Sequence, residues 1–155
     1  MISLFLPSFF SLLFFSMTDI LHVDHLEFDG KIIRNCLDRP LHFYVHPKDL
    51  KPLFILDIWR ACKLKENPIC CESKITVPGL AQTFPVHLTE YLLPDDPEEC
   101  LPPWDLRYMY IVTNVFPKVY KDRPDLLGVN AGFGLVQDPV TKVMIGTTGL
   151  LGLRG

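Results

Sequence analysis

The sequence predicts one compact α+β domain, built mostly of antiparallel β strands with one largely buried helix at about residues 49–64. Three observations carry this prediction. The chain has 155 residues, of which 48% are apolar and 21% charged, and this is enough apolar surface for one core. Short β-branched and aromatic runs alternate with Gly, Pro and Asp turn signals. One longer apolar run, without glycine, lies between Asp49 and Leu64.

The first 16 residues differ in composition from the rest of the chain. Eleven of them are apolar and none is charged. A bilayer-spanning helix needs about 20 apolar residues, so this shorter run is more typical of the hydrophobic region of a secretory signal peptide, although no Lys or Arg precedes it. Three interpretations stay open: a signal or short membrane anchor, a dispensable extension ahead of a start at Met17, or an integral element of the core.

The predicted organisation is therefore a hydrophobic leader at 1–16, a single domain at 17–150 and a ragged tail at 151–155. Membrane contact is expected only through residues 1–16. The localisation follows from the same segment, because a retained leader predicts the secretory pathway or a membrane, and an effective start at Met17 predicts the cytoplasm.

The sequence of the first part of the domain predicts β strands. Residues 25–28 and 31–37 flank Asp29-Gly30, a two-residue signal for a β-hairpin. The run from Leu41 to His46 is rich in β-branched and aromatic residues and predicts a further strand.

The helix prediction depends on the start signals of one segment. Asp49 is a candidate N-cap and Pro52 falls in the first turn, where its missing N–H costs no hydrogen bond. The run from Leu53 to Leu64 is apolar on most of a helical circumference. A buried strand over Leu53–Ile58 is the alternative, because a short apolar run does not separate the two by period alone.

The later elements are all predicted as strands. The expected strands lie at 74–77, 84–92, 107–116, 133–137 and 142–147. The run at 107–116 is apolar on both faces, which is typical of a central strand. The last two strands flank Asp138-Pro139-Val140-Thr141, which predicts a hairpin turn.

Composition also excludes several classes of function. Fifteen basic and eighteen acidic residues give no cationic surface for phosphates, so nucleic-acid binding is not expected. Five cysteines without a Cys-x-x-Cys pair provide neither a zinc ribbon nor a dithiol redox motif, and reduced, mostly buried thiols are expected. The sequence predicts no cofactor.

One short motif carries candidate metal ligands. His22-Val23-Asp24-His25 resembles the second half of the His-x-His-x-Asp-His signature of metallo-β-lactamase-fold hydrolases, with Ile20 at the position of the first histidine. The resemblance implies a metal site formed by His22, Asp24 and His25 that activates water. On a strand, His22 and Asp24 face one side and His25 the other, so the three need a bend to converge.

Contact with an unidentified protein partner is the favoured function. Trp104, Tyr108 and Tyr110 lie at and beyond the end of an acidic, proline-rich loop at 94–105, and aromatic anchors beside a polar rim are typical of interfaces. The alternative for these aromatics is a place in the core. The sequence therefore predicts a small, non-enzymatic binding or accessory protein; the alternatives are a small metal-dependent hydrolase and a carrier of an apolar small ligand.

Overall fold

The computed structural model describes residues 19–129 and 134–152 of the chain. These residues form a mainly β fold with one short α-helix. The predicted leader at 1–16, the alternative start at Met17, Phe133 of the predicted hairpin and residues 153–155 of the predicted tail all lie outside the described residues.

The described part of the chain contains fourteen strands, one α-helix and one 3-10 turn. The strands are β1 (Leu21–Val23), β2 (Leu26–Phe28), β3 (Lys31–Asn35), β4 (Leu41–Phe43), β5 (Phe54–Leu56), β6 (Lys65–Cys70), β7 (Ile75–Thr76), β8 (Thr83–Phe84), β9 (His87–Leu92), β10 (Tyr108–Ile111), β11 (Leu126–Val129), β12 (Leu135–Gln137), β13 (Met144–Thr147) and β14 (Leu150–Gly152). The helix is α1 (Val115–Val119), and the 3-10 turn spans Pro97–Glu99.

The chain divides into two compact units where the sequence predicts one domain over 17–150. The described residues up to Cys62 and from Trp104 onward form one unit, and Lys63–Pro103 forms the other. In the second unit, β6 pairs with β9 and β7 with β8, both antiparallel, and the side chains of all four strands are exposed. This unit is therefore an extended hairpin.

Two five-stranded sheets make up the first unit. Their strand orders are β1-β5-β4-β13-β12 and β14-β11-β10-β3-β2. Each sheet has two parallel and two antiparallel pairings, so the prediction of mostly antiparallel strands is wrong for these sheets. Parallel neighbours need long crossover connections, which a local sequence pattern does not reveal.

The apolar core of the first unit draws on both sheets. Leu41 and Leu56 come from the first sheet, and Ile33, Met109 and Ile111 from the second. Removing such side chains from water is the main favourable term in folding, at roughly 1.5–3 kcal/mol for each large aliphatic residue. The core therefore holds the two sheets together.

One buried polar residue links the sheets through hydrogen bonds. Asn35, at the end of β3, is fully buried. Its side-chain amide donates to the carbonyl oxygens of Arg39 and Leu56, at 3.0 and 3.1 Å. Its side-chain oxygen accepts a hydrogen bond from the backbone N–H of Leu37 at 2.9 Å. Because a buried amide is costly unless its partners are supplied, this arrangement fixes how β3 meets β5.

The predicted helix over 49–64 is wrong, and the predicted alternative describes the structure better. Phe54–Leu56 forms β5, which lies between β1 and β4. Ile55 and Leu56 point to opposite faces and are both buried. A strand buried on both faces has a continuous apolar sequence, which also satisfies the pattern of a buried helix.

Both predicted hairpins are present in the described residues. β2 and β3 pair across Asp29 and Gly30, whose φ angles of 51° and 74° are those of a tight two-residue turn. β12 and β13 pair across the second turn, where the Asp138 carboxylate accepts the backbone N–H groups of Val140 and Thr141, both at 2.9 Å. These two hydrogen bonds lower the pKa of Asp138.

The last described residues are part of a sheet. The predicted ragged tail begins at 151, but Leu150–Gly152 forms β14 and pairs antiparallel with β11. The small size of Gly152 fits this place, because a Cβ there would lie 3.1 Å from the Leu127 side chain. Among residues 19–129 and 134–152, no helix is long and apolar enough to cross a membrane.

Candidate functional site

The second sheet turns one face to the core and the other away from it. Ile33 of β3 and Met109 of β10 are in register, and both belong to the core. Arg34 is in register with Tyr110. Because neighbouring side chains on a strand point to opposite faces, Arg34, Tyr108 and Tyr110 share the outer face of this sheet.

An arginine and three aromatic rings meet on this outer face. The guanidinium carbon of Arg34 lies 4.2 Å from the ring centroid of Tyr108 and 4.5 Å from that of Trp59. The rings of Trp59 and Tyr110 are stacked with centroids 5.7 Å apart, and those of Tyr108 and Tyr110 are 6.5 Å apart. We call these four residues the Arg34 cluster. Both arginine–ring distances are within the range of favourable cation–π contacts.

Trp59 reaches the cluster through a short parallel extension of β3. Asn35 forms an isolated parallel bridge with Ile58, and the backbone N–H of Trp59 donates to the Asn35 carbonyl oxygen at 2.9 Å. The same residue that links the two sheets therefore also places Trp59 beside Arg34.

The four members of the cluster differ in exposure. Tyr110 is only 2% exposed and forms the base of the cluster, and its burial raises the pKa of its hydroxyl. Trp59 is 42% exposed, and Arg34 and Tyr108 are half-buried. The cluster is therefore partly exposed, with Trp59 as its most exposed member.

Arg34 has no acidic partner within the described part of the chain. Its guanidinium forms no ion pair with any carboxylate among residues 19–129 and 134–152. The two rings contact the planar guanidinium but do not satisfy its N–H donors, which point outward in the plane. The cluster can therefore accept a carboxylate from another molecule.

A second arginine near the cluster is already paired. Arg107 donates to both carboxylate oxygens of Asp105, from Nε to Oδ1 at 3.1 Å and from Nη2 to Oδ2 at 2.7 Å. These hydrogen bonds lower the pKa of Asp105 to about 2 and raise that of Arg107. The Arg107 guanidinium carbon also lies 5.4 Å from the Tyr108 ring centroid. Tyr108 thus has two cations near its ring, of which only Arg107 is neutralised by a described carboxylate.

The structure separates the three predicted binding residues. Tyr108 and Tyr110 lie together in the cluster, whereas Trp104 is 53% exposed and makes no ring contact with either tyrosine among the described residues. Sequence reasoning missed Arg34 and Trp59. The alternation of core-facing and outward-facing side chains along β3 could have indicated Arg34. Trp59 was missed because it was placed in the predicted helix over 49–64.

The predicted metal ligands are held by separate hydrogen bonds. His22 Nδ1 lies 2.7 Å from the Asp57 carboxylate, across the β1–β5 pair. His25 Nδ1 lies 2.5 Å from the carboxylate of Asp24. Within the described ranges, no group of three or more His, Cys, Asp or Glu side chains is placed to hold a metal ion. The geometry thus shows two His–Asp pairs, and Asp57 is a partner that the sequence motif did not reveal.

A concave region beside the second sheet is large enough for a small ligand. It has a volume of about 550 Å³ and is lined mainly by apolar side chains of the second sheet and its turns. Phe28, Ile33, Met109 and Leu150 are among its lining residues. This volume falls in the range typical of small-molecule sites.

Comparison with known proteins finds no matching family model, no matching curated protein and no matching solved structure.

Proposed function

We propose that this chain is a non-enzymatic binding or accessory protein that contacts a protein partner through the Arg34 cluster. The supporting observation is a half-buried guanidinium held between two aromatic rings, with no ion-paired carboxylate in the described part of the chain. Arg, Trp and Tyr are the residue types most enriched among those that dominate the binding energy of interfaces.

The chemistry of the cluster defines the partner's contact residue. A guanidinium fixed in one plane forms two parallel hydrogen bonds with a carboxylate, and this pairing is stronger and more specific than a contact with a flexible lysine. The Trp59 and Tyr108 rings provide apolar area beside this pair. The partner is therefore a protein that presents an Asp or Glu side chain next to an apolar surface.

Trp104 is proposed as a peripheral contact of the same surface. It precedes the Asp105–Arg107 pair in sequence, and its neighbour Leu106 is 73% exposed. The Asp105–Arg107 pair is itself solvent-exposed. A charged pair of this kind at the edge of an interface contributes little affinity but helps exclude wrong partners.

Matched substitutions test this proposal. Arg34→Ala and Trp59→Ala each remove one side of the cation–π pair, and Arg39→Ala and Leu50→Ala serve as controls. The side chain of Arg39 is 62% exposed and pairs only loosely with Asp38 at 3.5 Å, and Leu50 is 96% exposed. Quantitative affinity capture from the native source should show one protein that is lost with both cluster variants and kept with both controls.

Two measurements separate lost binding from lost folding. Circular dichroism should show the wild-type spectrum for all four variants, because Arg34 and Trp59 lie outside the core between the sheets. Equal capture of every protein by cluster variants and controls would contradict the proposal.

A carrier of an apolar small ligand is the second candidate, and the 550 Å³ concave region favours it. Native mass spectrometry of the purified protein tests it by detecting a co-purifying lipid. The expected result is a bound species that is lost in Phe28→Arg, which places a charge in the lining at a residue that is 60% exposed, and kept in Leu50→Ala. A wild-type spectrum without bound ligand would contradict this candidate.

The metal-dependent hydrolase with His22, Asp24 and His25 stays a prediction from the sequence motif. Metal analysis of the purified protein tests it directly. Stoichiometric zinc, iron or manganese that is lost in His22→Ala would support it, and metal-free protein would contradict it.

A further inference from the structure

Two cysteines far apart in sequence lie together in the first unit. Cys36 follows β3, and Cys62 ends the segment that carries Trp59. The backbone N–H of Cys62 donates to the Cys36 carbonyl oxygen at 3.0 Å. Cys36 is 0% and Cys62 3% exposed, and both are free thiols.

The two thiols are neighbours, and each shifts the pKa of the other. A backbone hydrogen bond of this length places the two Cα atoms about 5–6.5 Å apart, given standard bond lengths. Disulfides span Cα distances of about 4.4–6.8 Å. The pair therefore has the backbone separation that a disulfide needs.

The surroundings make Cys62 the nucleophilic member of the pair. The hydrogen bond from Cys36 lowers the pKa of Cys62 to about 7, and the positive charge of Arg60 lowers it further against the opposing effect of burial. The same hydrogen bond, with burial, raises the pKa of Cys36. The Arg60 carbonyl oxygen, 3.7 Å from the Cys62 sulfur, accepts a hydrogen bond when Cys62 is protonated. The reactive species of a cysteine is its thiolate.

We propose that Cys36 and Cys62 form a redox modification site, which a small hydroperoxide such as hydrogen peroxide converts into an intramolecular disulfide. A small oxidant suits a pair that is almost fully buried, because larger disulfide reagents such as oxidised glutathione need more open access to the sulfur atoms.

The oxidation proceeds in two steps that transfer two electrons. The Cys62 thiolate attacks one peroxide oxygen, the O–O bond breaks, and the leaving hydroxide takes up a proton to form water, which leaves a sulfenic acid on Cys62. The sulfur of Cys36 then attacks the sulfur of Cys62. The S–S bond forms, the S–O bond breaks, and the second hydroxide leaves as water with the Cys36 proton.

The other cysteines are less suited to this reaction. Cys70 and Cys71 are adjacent in sequence, so a bond between them requires strained geometry. Cys70 is exposed and its sulfur lies 3.9 Å from the Cys71 carbonyl oxygen. Because exposure alone would make Cys70 react first, both cysteines are replaced in the test below.

The test treats the folded protein with hydrogen peroxide and then blocks the remaining thiols under denaturing conditions. The triple variant Cys70→Ser, Cys71→Ser, Cys100→Ser keeps only the buried pair. Intact mass should fall by about 2 Da, for the two hydrogens lost, and tryptic digestion should yield a Cys36–Cys62 linked peptide that dithiothreitol releases. In Cys36→Ser, dimedone should instead trap a sulfenic acid on Cys62.

Two results would overturn the proposal. One is a triple variant that keeps both thiols alkylatable after peroxide treatment, and the other is a linked peptide that appears only when the protein is denatured before oxidation. The triple variant retains both buried cysteines, so its result stands even where circular dichroism shows that Cys36→Ser does not fold.

Discussion

The guanidinium carbon of Arg34 lies 4.2 Å from the centroid of the Tyr108 ring, although 74 positions separate the two residues in the sequence. The parallel pairing of β3 with β10 brings them together. Trp59 contacts the same guanidinium. The proposed binding surface is therefore a product of the fold and is assembled from three distant segments.

Arg34→Lys separates the charge of the arginine from its planar shape. A lysine keeps the positive charge but loses the two-pronged hydrogen bonding and the flat stacking surface. We expect affinity for the captured partner to fall about tenfold, which corresponds to roughly 1.4 kcal/mol. Surface plasmon resonance with the captured partner measures this change, with Arg39→Lys as the matched control. Equal affinity of Arg34→Lys and wild type would show that charge alone is recognised.

Trp104→Ala and Tyr110→Ala should differ strongly in how much they lower the free energy of unfolding. Trp104 is half-exposed and Tyr110 is buried. We expect Trp104→Ala to change the free energy of unfolding by less than about 0.5 kcal/mol, and to weaken partner capture. Tyr110→Ala should lower the free energy of unfolding by about 3 kcal/mol or more, because it leaves a cavity at the base of the Arg34 cluster. Chemical denaturation measures both, and a large loss with Trp104→Ala would place Trp104 in the core and remove it from the surface.

Gly128→Ala should destabilise the protein through one neighbour. A Cβ at Gly128 would clash with the side-chain oxygen of Asn114. Asn114 also donates to the Val129 carbonyl oxygen at 3.3 Å, so it is not free to move away. We expect a loss of about 1–3 kcal/mol, which is typical of overpacking.

The double variant Gly128→Ala, Asn114→Ala tests this cause. Because removal of the Asn114 side chain removes the clash, the double variant should lose less stability than the two single variants predict by addition. If the double variant instead loses as much stability as the two single variants together, the cost of Gly128→Ala has another origin.

The ionisation of Cys62 should depend on Cys36. In the triple variant without Cys70, Cys71 and Cys100, ultraviolet thiolate absorbance should rise with a midpoint near the pKa of about 7 of Cys62. Adding Cys36→Ala removes the hydrogen bond that stabilises the thiolate, so the midpoint should move up toward the ordinary value of 9.0. An unchanged midpoint would show that Cys36 does not set the pKa of Cys62.

The sequence predicted those elements whose signals are local. The β2–β3 hairpin follows from Asp29-Gly30, whose positive φ angles need small or short polar residues. The β12–β13 hairpin follows from the Asp138 turn. The strand at 107–116 was correctly predicted as central, since β10 lies between β3 and β11, although its last residues enter α1.

The predictions that failed concern features that depend on residues far apart in the sequence. β5 was mistaken for a helix because its apolar run fits both states, and only the flanking strands β1 and β4 decide between them. Tyr108 and Tyr110 were identified as site residues from their type alone. Arg34 and Trp59 were missed, because their meeting requires a parallel register and a bridge at Asn35 that no local pattern encodes.

Site-specific photo-crosslinking from position 59 tests the central claim most directly. A benzophenone amino acid in place of Trp59 should capture one protein in the native source, through a peptide that contains Asp or Glu, and Arg34→Ala should abolish the crosslink. The same amino acid in place of Phe28, which is 60% exposed, serves as the control and should not capture that protein. Equal crosslinking from positions 59 and 28, or crosslinking that survives Arg34→Ala, would contradict binding through the Arg34 cluster.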